Sequence, residues 1–214
     1  MAATTVQELP EGEQWLYEVK LDGYRALAMK GMGSVQIRSR NNKDLTSAYA
    51  SIAAAASRLR AKSAVVDGEI VALDANGHPS FQALQNRSSY PRHTIAFYAF
   101  DLLQMDGKDL TRLALEERKR RLAEVVRDSG ILLSVSLPGT ASQVIEAVRA
   151  LGLEGVIAKR KGSRYVAGVR GDTWVKLKLD RQQEFVIGGY RPGPHGIDAL
   201  LVGFYEGRTL RLAG

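Results

Sequence analysis

Residues Trp15 to Asp22 alternate strictly in character. Trp15, Tyr17, Val19 and Leu21 are apolar or aromatic, and Leu16, Glu18, Lys20 and Asp22 stand between them. Side chains of a strand switch faces at every residue. The segment therefore predicts a strand with one buried face and a second face carrying Glu18, Lys20 and Asp22. Asp22-Gly23 supplies a turn signal, and Arg25 follows it. One amine, two carboxylates and a guanidinium fall within a single short run. An amphipathic edge strand with a solvated polar face would satisfy the same pattern, so the rest of the chain decides between the two.

Apolar, β-branched and aromatic runs recur at 15–21, 34–38, 64–73, 95–103, 155–160 and 173–179, bounded by Gly, Asp or Asn, and read as strands. Helical patterns separate them. Ala48–Leu59 is alanine-rich, and Thr140 with Gln143 forms a capping box that opens a helix closed at Gly152. Leu113–Val126 places Glu116 and Glu117 four residues before Arg120 and Arg121, so its basic run Arg118–Arg121 reads as a paired, solvated face. Residues 1–12 are polar, with Pro10 and Gly12, and read as a flexible tail. Beyond Leu179–Gln183 the pattern changes. Glu184–Tyr190, Ala199–Tyr205 and Thr209–Leu212 look like successive strands, the last two joined at Glu206-Gly207-Arg208.

The 214 residues suffice for one substantial core and a small second module. A net charge of +7 suits a polyanionic partner, because lysines and arginines release counterions on binding phosphates. The absence of cysteine excludes disulfides, thiolate zinc sites and cysteine nucleophiles. His78, His93 and His195 show no ligand spacing and read as surface or loop residues. No apolar run is long enough to cross a bilayer, and the N-terminus lacks a basic-then-apolar signal. The cytosol or nucleoid of a bacterium is the expected location.

Lys20-x-Asp22-Gly23-x-Arg25 resembles the nucleophile motif of covalent nucleotidyltransferases, which comprise DNA ligases, RNA ligases and mRNA capping enzymes. Further matches follow in the order these enzymes use: Ser39-Arg40-Asn41, Asp67-Gly68-Glu69, Phe97 to Asp101, Glu154 to Lys159, and Trp174 to Lys178. The stretches Pro79 to Gln85 and Glu184 to Tyr190 resemble the ligase portion of bacterial ligase D, a family that joins DNA ends in non-homologous repair. The resemblance runs over roughly residues 10 to 214. It implies an α+β fold: an ATP-grasp-like nucleotidyltransferase domain of antiparallel sheets flanked by helices at 13–181, then an incomplete OB fold at 182–214.

The resemblance also implies a set of roles. Lys20 would attack the α-phosphate of ATP, and the phosphates would be held by Lys176 and Lys178. These two lysines share one strand face, and their charge would also help Lys20 lose its proton. Asp22 and Glu154 would hold Mg²⁺ or Mn²⁺, which take oxygen ligands, with Glu69 contributing or binding the ribose. Glu18 would read the exocyclic amine of adenine beside Val19, and Phe100 would stack on the base, although its alternating spacing alone makes it a core residue. Arg25 would contact the ribose and Arg40 a phosphate. Lys159 joins the nucleotide set, but its odd spacing from Glu154 requires either that Glu154 precede the strand or that a bulge intervene. ATP is expected rather than NAD, because NAD-dependent ligases carry a nicotinamide-recognising domain ahead of the lysine and Lys20 stands near the start.

The expected partners are nicked double-stranded DNA, ATP and end-joining repair proteins, with the chain a monomer and no membrane contact. The basic motif that the family places late in its OB fold has no counterpart among these residues, so unaided reaction with ATP and nick sealing are expected to be impaired. Two other readings stay open: an RNA ligase or capping-type enzyme, and a truncated, non-catalytic module that binds nucleotide or DNA ends.

Overall fold

The computed structural model describes residues 1–179, 185–194 and 196–213. The expected domain boundary at 181/182, the strand start at Glu184 and His195 lie outside them. The chain divides into two units, Met1–Leu179 and Asp180–Gly214.

The first unit is built on two antiparallel-rich sheets. The four-stranded sheet runs β1 (Ala2–Thr5), β10 (Arg170–Lys178), β9 (Gly155–Arg160), β2 (Trp15–Val19). The larger sheet runs β4 (Ser34–Ser39), β3 (Tyr24–Gly31), β5 (Ala64–Leu73), β6 (Thr94–Met105), β7 (Lys108–Asp109), with β8 (Leu132–Leu133) paired to β6. Helices α1 (Ala50–Ser57), α2 (Phe81–Gln85) and α3 (Leu115–Val126) accompany the larger sheet, and its core gathers Ile52, Leu84, Phe97, Leu102, Leu122 and Val125. Helix α4 (Ala141–Ala150) opens on the Thr140–Gln143 capping box and packs Val144 and Val148 against Tyr17, Val156, Ala158 and Val175. A third cluster joins Leu115, Tyr165 and Trp174 to Leu16, Phe100 and Leu103, residues drawn from both sheets.

The N-terminal segment is not a flexible tail. Ala2–Thr5 pairs in parallel with β10, and the Thr4 hydroxyl donates to the Gly171 carbonyl at 2.7 Å. The outer edge of β10 offers unpaired backbone groups, and small and β-branched residues suit such an edge. Met1 and Leu9 are buried, and the Tyr17 hydroxyl donates to the Pro10 carbonyl at 2.7 Å. Polar composition misled because the segment is held mainly by backbone pairing.

The basic run on α3 also differs from expectation. Arg120 and Arg121 do pair with Glu117 on the solvated side, but Arg118 is wholly buried and Lys119 turns inward. The inward positions Leu115, Arg118, Leu122 and Val125 recur at helical spacing, and Lys119 lies four residues after Leu115. Arg118 forms a two-pronged pair with Asp101 at 2.7 and 2.9 Å, and its remaining nitrogen donates to the carbonyls of Leu113 and Ser163.

The second unit is a meander of β11 (Val186–Gly193), β12 (Gly196–Glu206) and β13 (Thr209–Leu212). The β12–β13 hairpin turns through Gly207 at φ +64°, a left-handed conformation that glycine adopts without steric cost.

Candidate active site

Register explains how one face of the four-stranded sheet comes to carry the charges. Glu18 lies opposite Ile157, which lies opposite Lys176; Leu16 lies opposite Lys159, which lies opposite Trp174; and Gly155 faces Lys178. Residues opposite one another share a face, so Glu18, Lys159, Lys176 and Lys178 project together while Tyr17, Val156, Ala158 and Val175 are buried against α4. Strand β2 ends at Val19, but the Lys20 amide still donates to the Gly155 carbonyl at 2.8 Å, which carries the pairing one residue further. Lys20 Nζ forms an ion pair with Glu154. Glu154 precedes β9, which settles its odd spacing from Lys159 without a bulge.

The larger sheet supplies the opposite wall. Arg25 pairs with Glu69 in register, and Glu69 with Tyr98. Between β5 and β6 the register shifts so that Asp67 faces Asp101 and Gly68 faces Ala99, leaving Phe100 as the extra residue. A bulge re-aims a side chain. Phe100 is accordingly half-buried, packing on one side against Trp174 and lining a cavity with Glu18, Val19, Arg25, Glu69 and Lys159. Leu21, Ser134, Ile157 and Trp174 complete most of that lining, so both neighbours of Lys20 border the cavity. Two glycines permit the close approach. A Cβ on Gly23 would sit 2.1 Å from the Ile70 carbonyl oxygen, and one on Gly68 would sit 2.4 Å from the Phe97 ring.

Within the cavity lining, Glu18 is a buried anion held by three donors. Its Oε1 accepts from Lys119 at 2.7 Å, and its Oε2 accepts from the Ser134 hydroxyl at 2.7 Å and from Lys159 at 2.9 Å. Burial alone would raise this carboxyl, but Lys159 and Lys119 hold it below the ordinary range. Lys159 is itself fully buried and sits 4.6 Å from the Phe100 ring centre and 4.3 Å from that of Trp174. Burial pushes its ammonium down, and the nearby Lys119 adds to this against the pull of Glu18. Trp174 Nε1 is buried and has no acceptor among the described residues.

Arg25 is fixed by Asp67, with bonds of 3.0 and 2.6 Å, while the Tyr165 hydroxyl donates to the same carboxylate at 2.8 Å. The guanidinium also lies 5.4 Å from the Phe100 ring centre. Glu69 makes no comparable bond among the described residues, and burial pushes its carboxyl up to about 8 despite Arg25 and Lys20.

Lys20, Asp22, Glu154, Lys176 and Lys178 form a second charged group, close enough to act on one another electrostatically. Burial and then Glu154 raise the Asp22 carboxyl, against Lys20 and Lys178. Burial, then Lys20 and Lys178, lower the Lys176 ammonium. Arg40 stands apart from this group. It is exposed and lines a neighbouring cavity with Ser39, Arg25, Asp67 and Tyr165. Sequence reading passed over Asp67, Lys119, Ser134 and Tyr165. Asp67 lay within a quoted motif and Lys119 at inward helical spacing, but Ser134 and Tyr165 sit in irregular segments that carry no pattern.

A buried carboxylate held by two lysines thus lies in a cavity walled by residues of both sheets, and a lysine–glutamate ion pair stands beside its lining residues Val19 and Leu21. Residues 2–178 match the family model described as ATP dependent DNA ligase domain, and the chain belongs to that family. It is 42% identical over 223 aligned residues, 99% of this chain, to the multifunctional non-homologous end joining protein LigD of Pseudomonas aeruginosa, covering 26% of that protein. To the LigD of Mycolicibacterium smegmatis it is 38% identical over 95% of this chain and 27% of the relative. The solved structure of mycobacterial DNA ligase D complexed with ATP and MES superposes with a TM-score of 0.75 at 37% identity, covering 99% of this chain and 71% of that one. The chain thus spans about a quarter of the length of the LigD relatives it matches. These relatives are ATP-dependent ligases and hence enzymes, and the α+β architecture with antiparallel sheets is theirs.

Proposed function

We propose that this chain is the adenylating part of an ATP-dependent DNA ligase acting in end joining. The observation that carries the reading is the single cavity lined by Glu18, Arg25, Phe100 and Lys159, with Lys20 between two of its lining residues. Adenine enters between Phe100 and the Glu18 carboxylate, with Val19 alongside, and Arg25 and Glu69 meet the ribose. The Lys20 amine then attacks the α-phosphate. A phosphorus–nitrogen bond forms, the bond to the bridging oxygen breaks, and pyrophosphate leaves. Lys176 and Lys178 place fixed positive charge where negative charge accumulates on the phosphates.

Asp22 and Glu154 are close enough to interact electrostatically, and two carboxylates with phosphate oxygens match what Mg²⁺ takes, or Mn²⁺ in its place. These two residues would hold the ion, which when bound would neutralise phosphate charge. In the second stage the adenylate passes to a 5′-phosphate at a nick in duplex DNA, and the neighbouring 3′-hydroxyl displaces AMP. Arg40, exposed beside Arg25, is the phosphate contact for this stage. The net charge of +7 favours such a polyanion. Asp180–Gly214 begins an OB fold in this reading, and the chain acts as a monomer, with end-joining proteins as partners in a bacterial cytosol. Among the described residues no helix is long and apolar enough to cross a membrane.

The test is incubation with Mg²⁺ and ATP labelled in its α-phosphate, followed by digestion and mapping of the adduct. Label on Lys20, absent from Lys20→Ala, is the expected result. Label on a different lysine, or undiminished label in the variant, would overturn the assignment.

A further inference from the structure

The donors around Glu18 leave a specific gap. An ionised carboxylate offers about four acceptor positions, two on each oxygen. Oε2 is filled by Ser134 and Lys159, whereas among the described residues Oε1 accepts only from Lys119. The vacant position therefore lies on the oxygen that Lys119 holds. Lys119 reaches it from α3, across the sheet face, and the same ammonium donates to the Ser134 carbonyl at 2.9 Å. Ser134 is in turn tied to β6 through its amide, which donates to the Ala99 carbonyl at 2.7 Å, one residue before Phe100. Three elements that form the cavity thus converge on one lysine.

We propose that Lys119 is a positioning residue for base selection, locking the Glu18 carboxylate so that its one vacant acceptor position meets an exocyclic amine on the six-membered ring of a purine. The proposal rests on the adenylation reading and extends it to the base that the cavity admits. A purine with an oxo group at that position presents an acceptor to a fixed anion, so two lone pairs confront one another and Glu18 is left with an unfilled position. A site built to hydrogen-bond one group rejects the analogue lacking it far more strongly than an apolar pocket does. The rejection depends on Glu18 being unable to swing aside. Lys159 and Ser134 grip one oxygen only, and rotation about that oxygen would release the other. Lys119 closes this freedom.

The experiment compares ATP with ITP, which differ at that group, in lysyl-nucleotide formation by the whole chain. Wild type is expected to favour ATP strongly. Lys119→Met should lose about tenfold or more of that preference, mainly as a higher KM for ATP with little change in the maximal rate. Lys119→Arg, which keeps charged donors, should restore most of the preference. Ser134→Ala disturbs the cavity equally but spares Oε1, so its preference should stay near that of wild type. An unchanged ATP-to-ITP ratio in Lys119→Met would overturn the proposal, as would an equal loss in Ser134→Ala. If Lys119→Met does not fold, Lys119→Gln is read by the same ratio. Binding of ATP and ITP, followed by the shift in melting temperature, separates the two claims. A wild type that forms no lysyl-AMP but still binds ATP over ITP in a Lys119-dependent way refutes the adenylation reading alone.

Discussion

Lys20 and Glu154 meet as an ion pair at the point where the pairing of β2 with β9 runs out. Lys20 is still attached to the ladder through its amide, and Glu154 lies one residue ahead of β9. Both side chains are held in the pair yet remain partly exposed, with 14% and 28% of their side-chain surface accessible. The pair thus combines a tethered amine with a carboxylate that other cations can reach.

Glu154→Gln should slow lysyl-AMP formation and raise the Mg²⁺ concentration needed for half-maximal rate several-fold, because one of the two carboxylates proposed to hold the ion is lost. Rates measured across a Mg²⁺ titration check this. A lower maximal rate with the same Mg²⁺ requirement would show that Glu154 serves only to hold Lys20.

The Lys176–Lys178 pair should act through phosphate charge and leave the fold intact. Each lysine to alanine change should weaken ATP binding by about 1.5–3 kcal/mol, the typical worth of a hydrogen bond to a charged group. Neither lysine makes a salt bridge among the described residues, so melting temperatures should barely move. Calorimetric titration with ATP beside thermal melts reads both quantities. A large fall in melting temperature with intact affinity would instead mark a structural pair.

Arg118→Ala should be among the most destabilising single changes. Both partners of its pair with Asp101 are fully buried, and removing one member of a buried ion pair typically costs about 3–5 kcal/mol. The carbonyls of Leu113 and Ser163 lose their donor as well. Denaturant melts of the variant give the cost. A value under about 1 kcal/mol, the range of exposed pairs, would contradict the burial.

Much of this site was readable from residue order. Strand alternation put Lys176 and Lys178 together, as the register bears out, whereas the paired register of β2 stops at Val19, short of Lys20 and Asp22. What escaped was tertiary. Strand β3 (Tyr24–Gly31) drew no strand reading, although it carries Arg25 to its partner Asp67. Phe100 had core spacing, and only a bulge between two distant strands turns it toward the cavity. Lys119 looked solvated because its neighbours in sequence are charged, while its true partners, Glu18 and Ser134, are far along the chain. Ala2–Thr5 looked polar and loose because strand pairing at a sheet edge needs little from the side chains.

Glu69 should give the protein a pH-dependent stability of unusual sign for a carboxylate. Burial raises its carboxyl from an ordinary value of 4.5 to about 8, with Asp67 and Asp22 adding to the rise and Arg25 and Lys20 opposing it. Between these two values the folded chain holds a proton that the unfolded chain has released. Stability changes with pH in proportion to protons bound by the unfolded state minus those bound by the folded state. That difference is negative here, so this group's contribution is fully present below the unfolded value and is lost as pH rises through about 8. Glu69→Gln cannot ionise and should abolish that part of the slope, leaving the variant gaining on wild type as the solution becomes alkaline. Denaturant melts of both proteins at several pH values from mildly acidic to mildly alkaline measure the two slopes. Equal slopes would mean that Glu69 is already ionised in the folded protein, with Arg25 and Lys20 outweighing its burial.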